Sequence, residues 1–218
     1  MPAEPAPAAG GAGSWWHCVV RGGGPDGSDR CHVVESGRYP DGTRIELTAS
    51  EAAAAVGDDA ICVVDLDGAD RVRRIDLSPQ VTPRAPDVWF VEFRESAARP
   101  PAVNLIAFTG HGPARGAVLD PVDVAELEVV RSDQLGAVRW YPKTGEIDQV
   151  YVQPQWRRRH VAAALLVAGG SVSVARRWPR FWGDGQRTRL GEELRNGRNW
   201  AHRAAELTHV APPMTPGE

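Results

Sequence analysis

Lysine is almost absent from this chain. Lys143 is the single lysine among 25 basic residues in 218, so nearly all positive charge is arginine, a usage that fits a high-GC coding bias. Cysteine is scarce as well, and the odd number, Cys18, Cys31 and Cys62, does not suggest the disulfide framework of a small secreted domain. No apolar run approaches the roughly 20 residues that cross a bilayer. Met1-Pro2-Ala3-Glu4-Pro5 lacks the basic region and apolar segment of a targeting signal. The expectation is a cytoplasmic chain without a membrane segment. Tyrosine occurs only at positions 39, 141 and 151, which limits the phenols available to chemistry. What is present, 42% hydrophobic residues, is enough to bury one substantial core or two small ones.

Charge is unevenly distributed. Residues 1–130 carry 11 basic and 20 acidic side chains, whereas residues 131–203 carry 14 basic and 6 acidic ones. A positive second half suits an anionic ligand, and equally nucleic acid or the acidic first half itself. Five of the eight tryptophans fall there, interleaved with arginine. Such residues can stack bases, but they more often fill a core, so nucleic-acid binding is not expected. His17-Cys18 and Cys31-His32 offer zinc-ligand chemistry, but adjacent ligands lack the spacing of the common fingers, and no metal site is expected. Cys62, within Ile61-Cys62-Val63-Val64, reads as a small buried apolar residue.

Four regions follow from composition. Residues 1–13, rich in Pro, Ala and Gly, read as a disordered tail. Residues 14–125 are β-rich, with strands expected at 15–20, 44–47, 60–65, 71–77, 88–94 and 103–108 and a short helix capped by Thr48 or Ser50 through Val56. Residues 126–210 alternate strands and helices, and 211–218 form a second tail. In the third region, strands at 126–130, 135–141 and 146–152, joined by turns of about four residues, predict an antiparallel meander. A short strand at 180–182, a helix from Thr188 through Arg195 and a last helix at 200–207 complete it.

The chain is organised around residues 146–178. Ile147, Val150, Tyr151 and Val152 suit a half-buried strand, and Pro154 ends it. Val161, Ala164, Leu165, Ala168 and Val172 recur at helical spacing on one face. A strand passing through a tight corner into a helix presents backbone N–H groups and the positive end of a helix dipole, which is an anion site.

Val152-Gln153-Pro154-Gln155-Trp156-Arg157-Arg158-Arg159-His160-Val161-Ala162-Ala163-Ala164-Leu165-Leu166 resembles the pyrophosphate-binding segment of the GCN5-related N-acetyltransferase (GNAT) superfamily. There a Val-x-Pro strand end precedes Arg/Gln-x-x-Gly-x-Gly/Ala and a helix that begins with Leu-Leu. Arg157 and Ala162 match the first and last motif positions; His160 stands where the middle glycine belongs, and Arg158 where a glycine often follows the arginine. The resemblance covers about 126–182, a quarter of the chain.

It implies an α+β fold in which a meander leads into a cofactor-loop helix, a short strand and C-terminal helices. The β-rich first half departs from the strand and two helices with which the family opens. Acetyl-CoA would be the co-substrate of an acetyltransferase. The pyrophosphate would meet Arg157, Arg158, Arg159, His160, Val161 and Ala162, and the pantetheine arm would lie on the backbone of Val150, Tyr151 and Val152. The acceptor would be a small-molecule or peptide amine. The family commonly uses a strand carboxylate as base, so Asp148 is the preferred candidate and Glu146 the second; period-two alternation puts both on one face. No tyrosine follows Trp182 to serve as the usual acid, which leaves Tyr141 to reach the site another way, with Asp184, Thr188 or water as alternatives. The lost glycines and that missing tyrosine also fit a second reading, a non-catalytic protein on the same scaffold that binds a nucleotide-type ligand or a protein partner.

Overall fold

A computed structural model describes residues 15–21, 28–48, 51, 56, 60–110, 112–127, 129, 131–197 and 203–211. The tails expected at 1–13 and 211–218, Ala211 excepted, and most of the helix expected before Val56 lie outside them. Glu51 and Val56 are helical. Thr48 donates to the Glu51 carboxylate from its N–H at 3.0 Å and its hydroxyl at 2.6 Å, the glutamate arm of a capping box.

Five strands, β1 (Trp15–Arg21), β2 (Asp29–Ser36), β3 (Arg44–Leu47), β4 (Ala60–Leu66) and β5 (Val72–Leu77), form one sheet in the order β3-β1-β2-β4-β5. Its neighbours are antiparallel except β1 and β3. The second sheet runs β11-β10-β9-β7-β6-β8 and is built from β6 (Trp89–Glu95), β7 (Ala102–Phe108), β8 (Val118–Leu119), β9 (Gln134–Trp140), β10 (Glu146–Val152) and β11 (Trp182–Gly183). The helices whose full span is among the described residues are α1 (Pro121–Val124), α2 (Val161–Ala175) and α3 (Arg189–Gly197), and a small ladder pairs β12 (Gln186–Arg187) with β13 (His209–Val210). The architecture is α+β, as expected, and no described helix is long and apolar enough to cross a membrane.

Helix α2 lies between the two sheets, touching β1, β2, β4 and β5 on one side and β7, β9 and β10 on the other. Every residue in it except Ala162 is buried. The single apolar face expected from sequence is thus only half of its contact surface. The other half works because it carries Ala163, Val167, Gly170, Ser171 and Val174, small enough for the first sheet to approach. A Cβ on Gly170 would be driven into the ring of Trp16, and one on Gly169 would come within 3.0 Å of Phe181. The adjacent glycines therefore admit one aromatic from each layer.

Two expected elements are replaced. Of the strand expected at 126–130, residues 128 and 130 lie outside the described residues and Glu126, Leu127 and Val129 are not in a strand; upstream, the Asp120 carboxylate accepts from the N–H groups of Val122 and Asp123, with Pro121 at the helix start, and nucleates α1. Glu126 and Leu127 lie in the turn that follows. The meander is made by β7, β9 and β10. Of the last helix expected at 200–207, residues 200–202 lie outside the described residues; Arg203 is in a 3-10 turn, and from Ala204, which bridges Gly183, the chain is not helical, the Ala205 N–H donating to the Gly183 carbonyl at 2.9 Å. Strand alternation separates the four residues of the zinc alternative. Cys18 and Cys31 point into the core, while their neighbours His17 and His32 point to the opposite face, so the four ligands cannot share one ion.

Ion pairs tie the layers together. Arg176, which follows α2, grips Glu92 of β6 through two bonds of 2.7 and 2.8 Å, with only 2% of its side chain exposed. Arg203 holds Asp41 through bonds of 2.6 and 3.1 Å and stacks 4.1 Å over Trp16. Burial alone would raise the Glu92 carboxyl, but Arg176 and then Arg94 outweigh it and leave the pKa below its ordinary value.

In an open helix Gly170→Ala would gain about 1 kcal/mol from propensity. Against Trp16 we expect the reverse, a loss of roughly 1–3 kcal/mol in urea unfolding. Glu92→Gln should cost about 3–5 kcal/mol, because it strands a buried guanidinium. Since the Glu92 pKa is depressed, its contribution is present above about pH 4.5 and is lost as pH falls further, so acid titrations of the wild type and Glu92→Gln should converge.

Candidate functional site

Strand β10 has a parallel neighbour over only part of its length. Glu146 pairs with Trp182 and Ile147 with Gly183; beyond Ile147, no strand lies beside it on that flank among the described residues. The neighbour is short because the chain turns away at once. The Asp184 carboxylate accepts from the Gln186 N–H at 2.9 Å, and Arg187 donates to the carbonyls of Asp184 and Ala205, which fixes the departure into β12. Thr188 then caps α3, its hydroxyl accepting from the Gly191 N–H at 3.1 Å as the sequence suggests.

The resulting gap between β10 and α3 contains two adjoining cavities. One, of about 600 Å³, runs along Val150, Tyr151 and Val152 to the start of α2. The other, of about 540 Å³, extends from Val150 back to Ile147 and Gly183. Val150, Thr188, Gly191 and Leu194 belong to both walls, so the two form a continuous slot along the unpaired edge of β10.

A short 3-10 turn, Pro154–Trp156, carries the chain from β10 to α2. Arg158 and His160 both take the left-handed conformation, at φ 62° and 60°. Those are two positions where the resembled motif has glycine, and the chain takes a glycine-like backbone there without glycine, at roughly 1–2 kcal/mol per residue. His160, the N-cap residue of α2, makes no capping bond to the helix with its side chain. The Arg157 Nε donates to the Val152 carbonyl at 3.2 Å, and Arg158 bridges to Glu193 of α3 at 2.7 Å, an exposed pair across the mouth of the first cavity. Arg159 stacks 5.1 Å over the Trp156 ring.

Val150, Tyr151, Val152, Arg157, Arg158, His160, Val161 and Ala162 all line the first cavity; Arg159 is not in its wall. Asp148 lines the second, while Glu146 and Tyr141 lie outside both walls. The β9–β10 register shifts between Ile147 and Gln149, so Asp148 sits on a bulge that interrupts the alternation expected to align it with Glu146. Its carboxylate accepts from the Tyr141 hydroxyl at 2.5 Å and pairs with Arg139, which also pairs with Glu95 at 3.0 Å. The Tyr141 pKa is raised, first by that bond to Asp148 and then by burial. The Glu146 carboxyl is raised by burial and by the nearby charges of Asp184 and Asp148. Sequence reasoning missed Arg84, Leu190, Gly191, Glu193 and Leu194 as wall residues. The helix carrying the last four was legible, but nothing local marks the face it turns to β10.

Because the Tyr141 pKa is raised, its neutral form supports the fold below about pH 10 and that support disappears as pH rises through the folded-state value. Ultraviolet titration should show one phenol ionising later than free tyrosine. Asp148→Asn should bring that transition to lower pH, and Tyr141→Phe should remove it. Comparison with models of known families, with curated proteins and with solved structures gives no match for the chain.

Proposed function

We propose that the slot binds the diphosphate and pantetheine arm of an acyl-coenzyme A and that the chain is an N-acyltransferase, the activity implied by the resemblance of residues 152–166 to the GCN5-related N-acetyltransferases. The observation that carries this reading is the edge of β10, unpaired among the described residues, which opens onto a helix N-terminus whose N-cap residue makes no side-chain capping bond, beside Arg157 and Arg158. Such an edge offers backbone donors and acceptors to an amide-bearing arm. The helix start and the guanidinium forks suit a diphosphate.

Transfer needs a neutral amine, a donor for the developing oxyanion and a proton for the departing sulfur. The amine attacks the thioester carbonyl, a C–N bond forms and the C–S bond breaks. Asp148, in the slot wall, takes the proton that the nitrogen loses. Tyr141, outside the slot wall, donates to that carboxylate and holds it in place, and the proton collected by Asp148 passes through water to the departing thiolate, so the products are an amide and a free thiol. The non-catalytic reading draws support from the Arg158–Glu193 pair, which occupies an arginine that a diphosphate would use.

Calorimetric titration with coenzyme A and acetyl-CoA tests the binding. Arg157→Ala and Arg158→Ala should each weaken it about 10-fold or more, the value of a lost charge-assisted bond. Glu193→Gln, which releases Arg158, should tighten it a few-fold, in keeping with the small worth of an exposed pair. Absence of heat at millimolar ligand counts against the reading. Asp148→Asn should retain binding and lose turnover; binding without turnover in the wild type would favour the non-catalytic reading.

A further inference from the structure

The wall of the first cavity comes from residues 150–197 with one exception, Arg84. This arginine belongs to the loop of residues 78–88 that joins β5 to β6. The Ser78 carbonyl accepts from the N–H groups of Val81 and Thr82 at 3.0 and 3.3 Å, and the Thr82 carbonyl accepts from the Ala85 N–H at 3.0 Å. Pro83 and Arg84 are thus the two central residues of a tight turn, with proline at the position that its fixed φ favours. Val81 and Ala85 pack against the core, which anchors the turn, while Arg84 is exposed. Three antiparallel pairings link β6 to β10, and their registers set Phe90, Ala107, Gly136 and Val152 in one row across the sheet. The chain therefore enters β6 at the end where it leaves β10, and the loop bearing Arg84 lies at the same end of the sheet as the start of α2.

Arg84, Arg157 and Arg158 stand in this wall against one carboxylate, Glu193, which Arg158 already holds. Arg84 has no hydrogen bond or ion pair to any described residue. In coenzyme A the diphosphate lies between the pantetheine arm and the adenosine, whose ribose carries a further phosphate at its 3′ position. An arm that runs along β10 from Val152 toward Ile147 sends the adenosine the other way, past the end of β10, and Arg84 stands at that end. The helix start, Arg157 and Arg158 serve the diphosphate. A third guanidinium, delivered by a separate loop, suits a separate phosphate.

We infer that Arg84 recognises the ribose 3′-phosphate and makes the slot select coenzyme A and its thioesters over the same molecules without that group. This rests on the coenzyme A reading of the slot and adds a specificity-determining residue to it. Calorimetric titration compares coenzyme A with 3′-dephospho-coenzyme A, on the wild type and on Arg84→Gln. The wild type should bind coenzyme A about 10-fold more tightly, the worth of one charge-assisted bond. Arg84→Gln should erase that preference by weakening coenzyme A alone, with the affinity for 3′-dephospho-coenzyme A unchanged. That unchanged affinity also reports that the variant is folded, as expected for a side chain bonded to no described residue. Equal binding of the two ligands by the wild type overturns the inference and leaves the slot reading standing. So does an Arg84→Gln variant that weakens both ligands equally, since Arg84 would then serve the diphosphate. Absence of binding by either ligand to the wild type overturns the slot reading and the inference together.

Discussion

The structure depends on burying helix α2 from every side. A helix with an apolar stripe needs one partner; this one has a sheet against each flank, so its side chains must be small where the layers come close, and only Ser171 and Ser173 among them are polar. Gly169 and Gly170 meet that demand from opposite directions, receiving Phe181 from one layer and Trp16 from the other. The C-terminal end of the helix is held as firmly: the Ala175 carbonyl accepts from Arg44 of the first sheet, while Arg176 reaches Glu92 of the second. Because the axis is fixed by this packing, the direction of its N-terminus is fixed too, and that end faces the slot.

The slot itself follows from a mismatch of lengths. Strand β10 has seven residues and its parallel neighbour β11 has two, so among the described residues the remaining edge has no ladder partner and α3 supplies the opposite wall. The arginines do two kinds of work here. Arg187 uses its nitrogens to hold the chain in the turn that ends β11, whereas Arg157 and Arg158 stand at the mouth, where charge is accessible. An arginine-dominated chain suits this division, since a planar fork satisfies several carbonyls at once and a lysine does not.

Much of this was legible in the sequence where the signal is local. Pro154 marks the end of β10, Thr188 caps α3, and the alternation of residues 146–152 marks a strand. The left-handed positions at Arg158 and His160 could be anticipated from the glycines of the resembled motif, though not from propensity, because arginine and histidine give no such hint. Failures occurred where distant contacts decide. Residues 126–130 have the β-branched character of a strand, yet the cap at Asp120 and Pro121 claims the preceding turn for a helix. Residues 204–207 carry a helical composition, but the bridge between Ala204 and Gly183 draws them out of a helix. The bulge at Asp148 and the wall residues on α3 depend on pairing and orientation, which leave no mark on residue type.

The two-sided burial of α2 also constrains the order in which the protein takes shape on the ribosome. The first sheet is complete at residue 77, but the surface that should cover its apolar face lies in residues 161–175. At roughly 5–20 residues per second, the nascent chain waits several seconds or longer with Cys18, Cys31, Val33 and Val64 uncovered. Synthesis thus passes through an interval in which the N-terminal half is a natural client for a chaperone, and the arrival of one alanine-rich helix ends it.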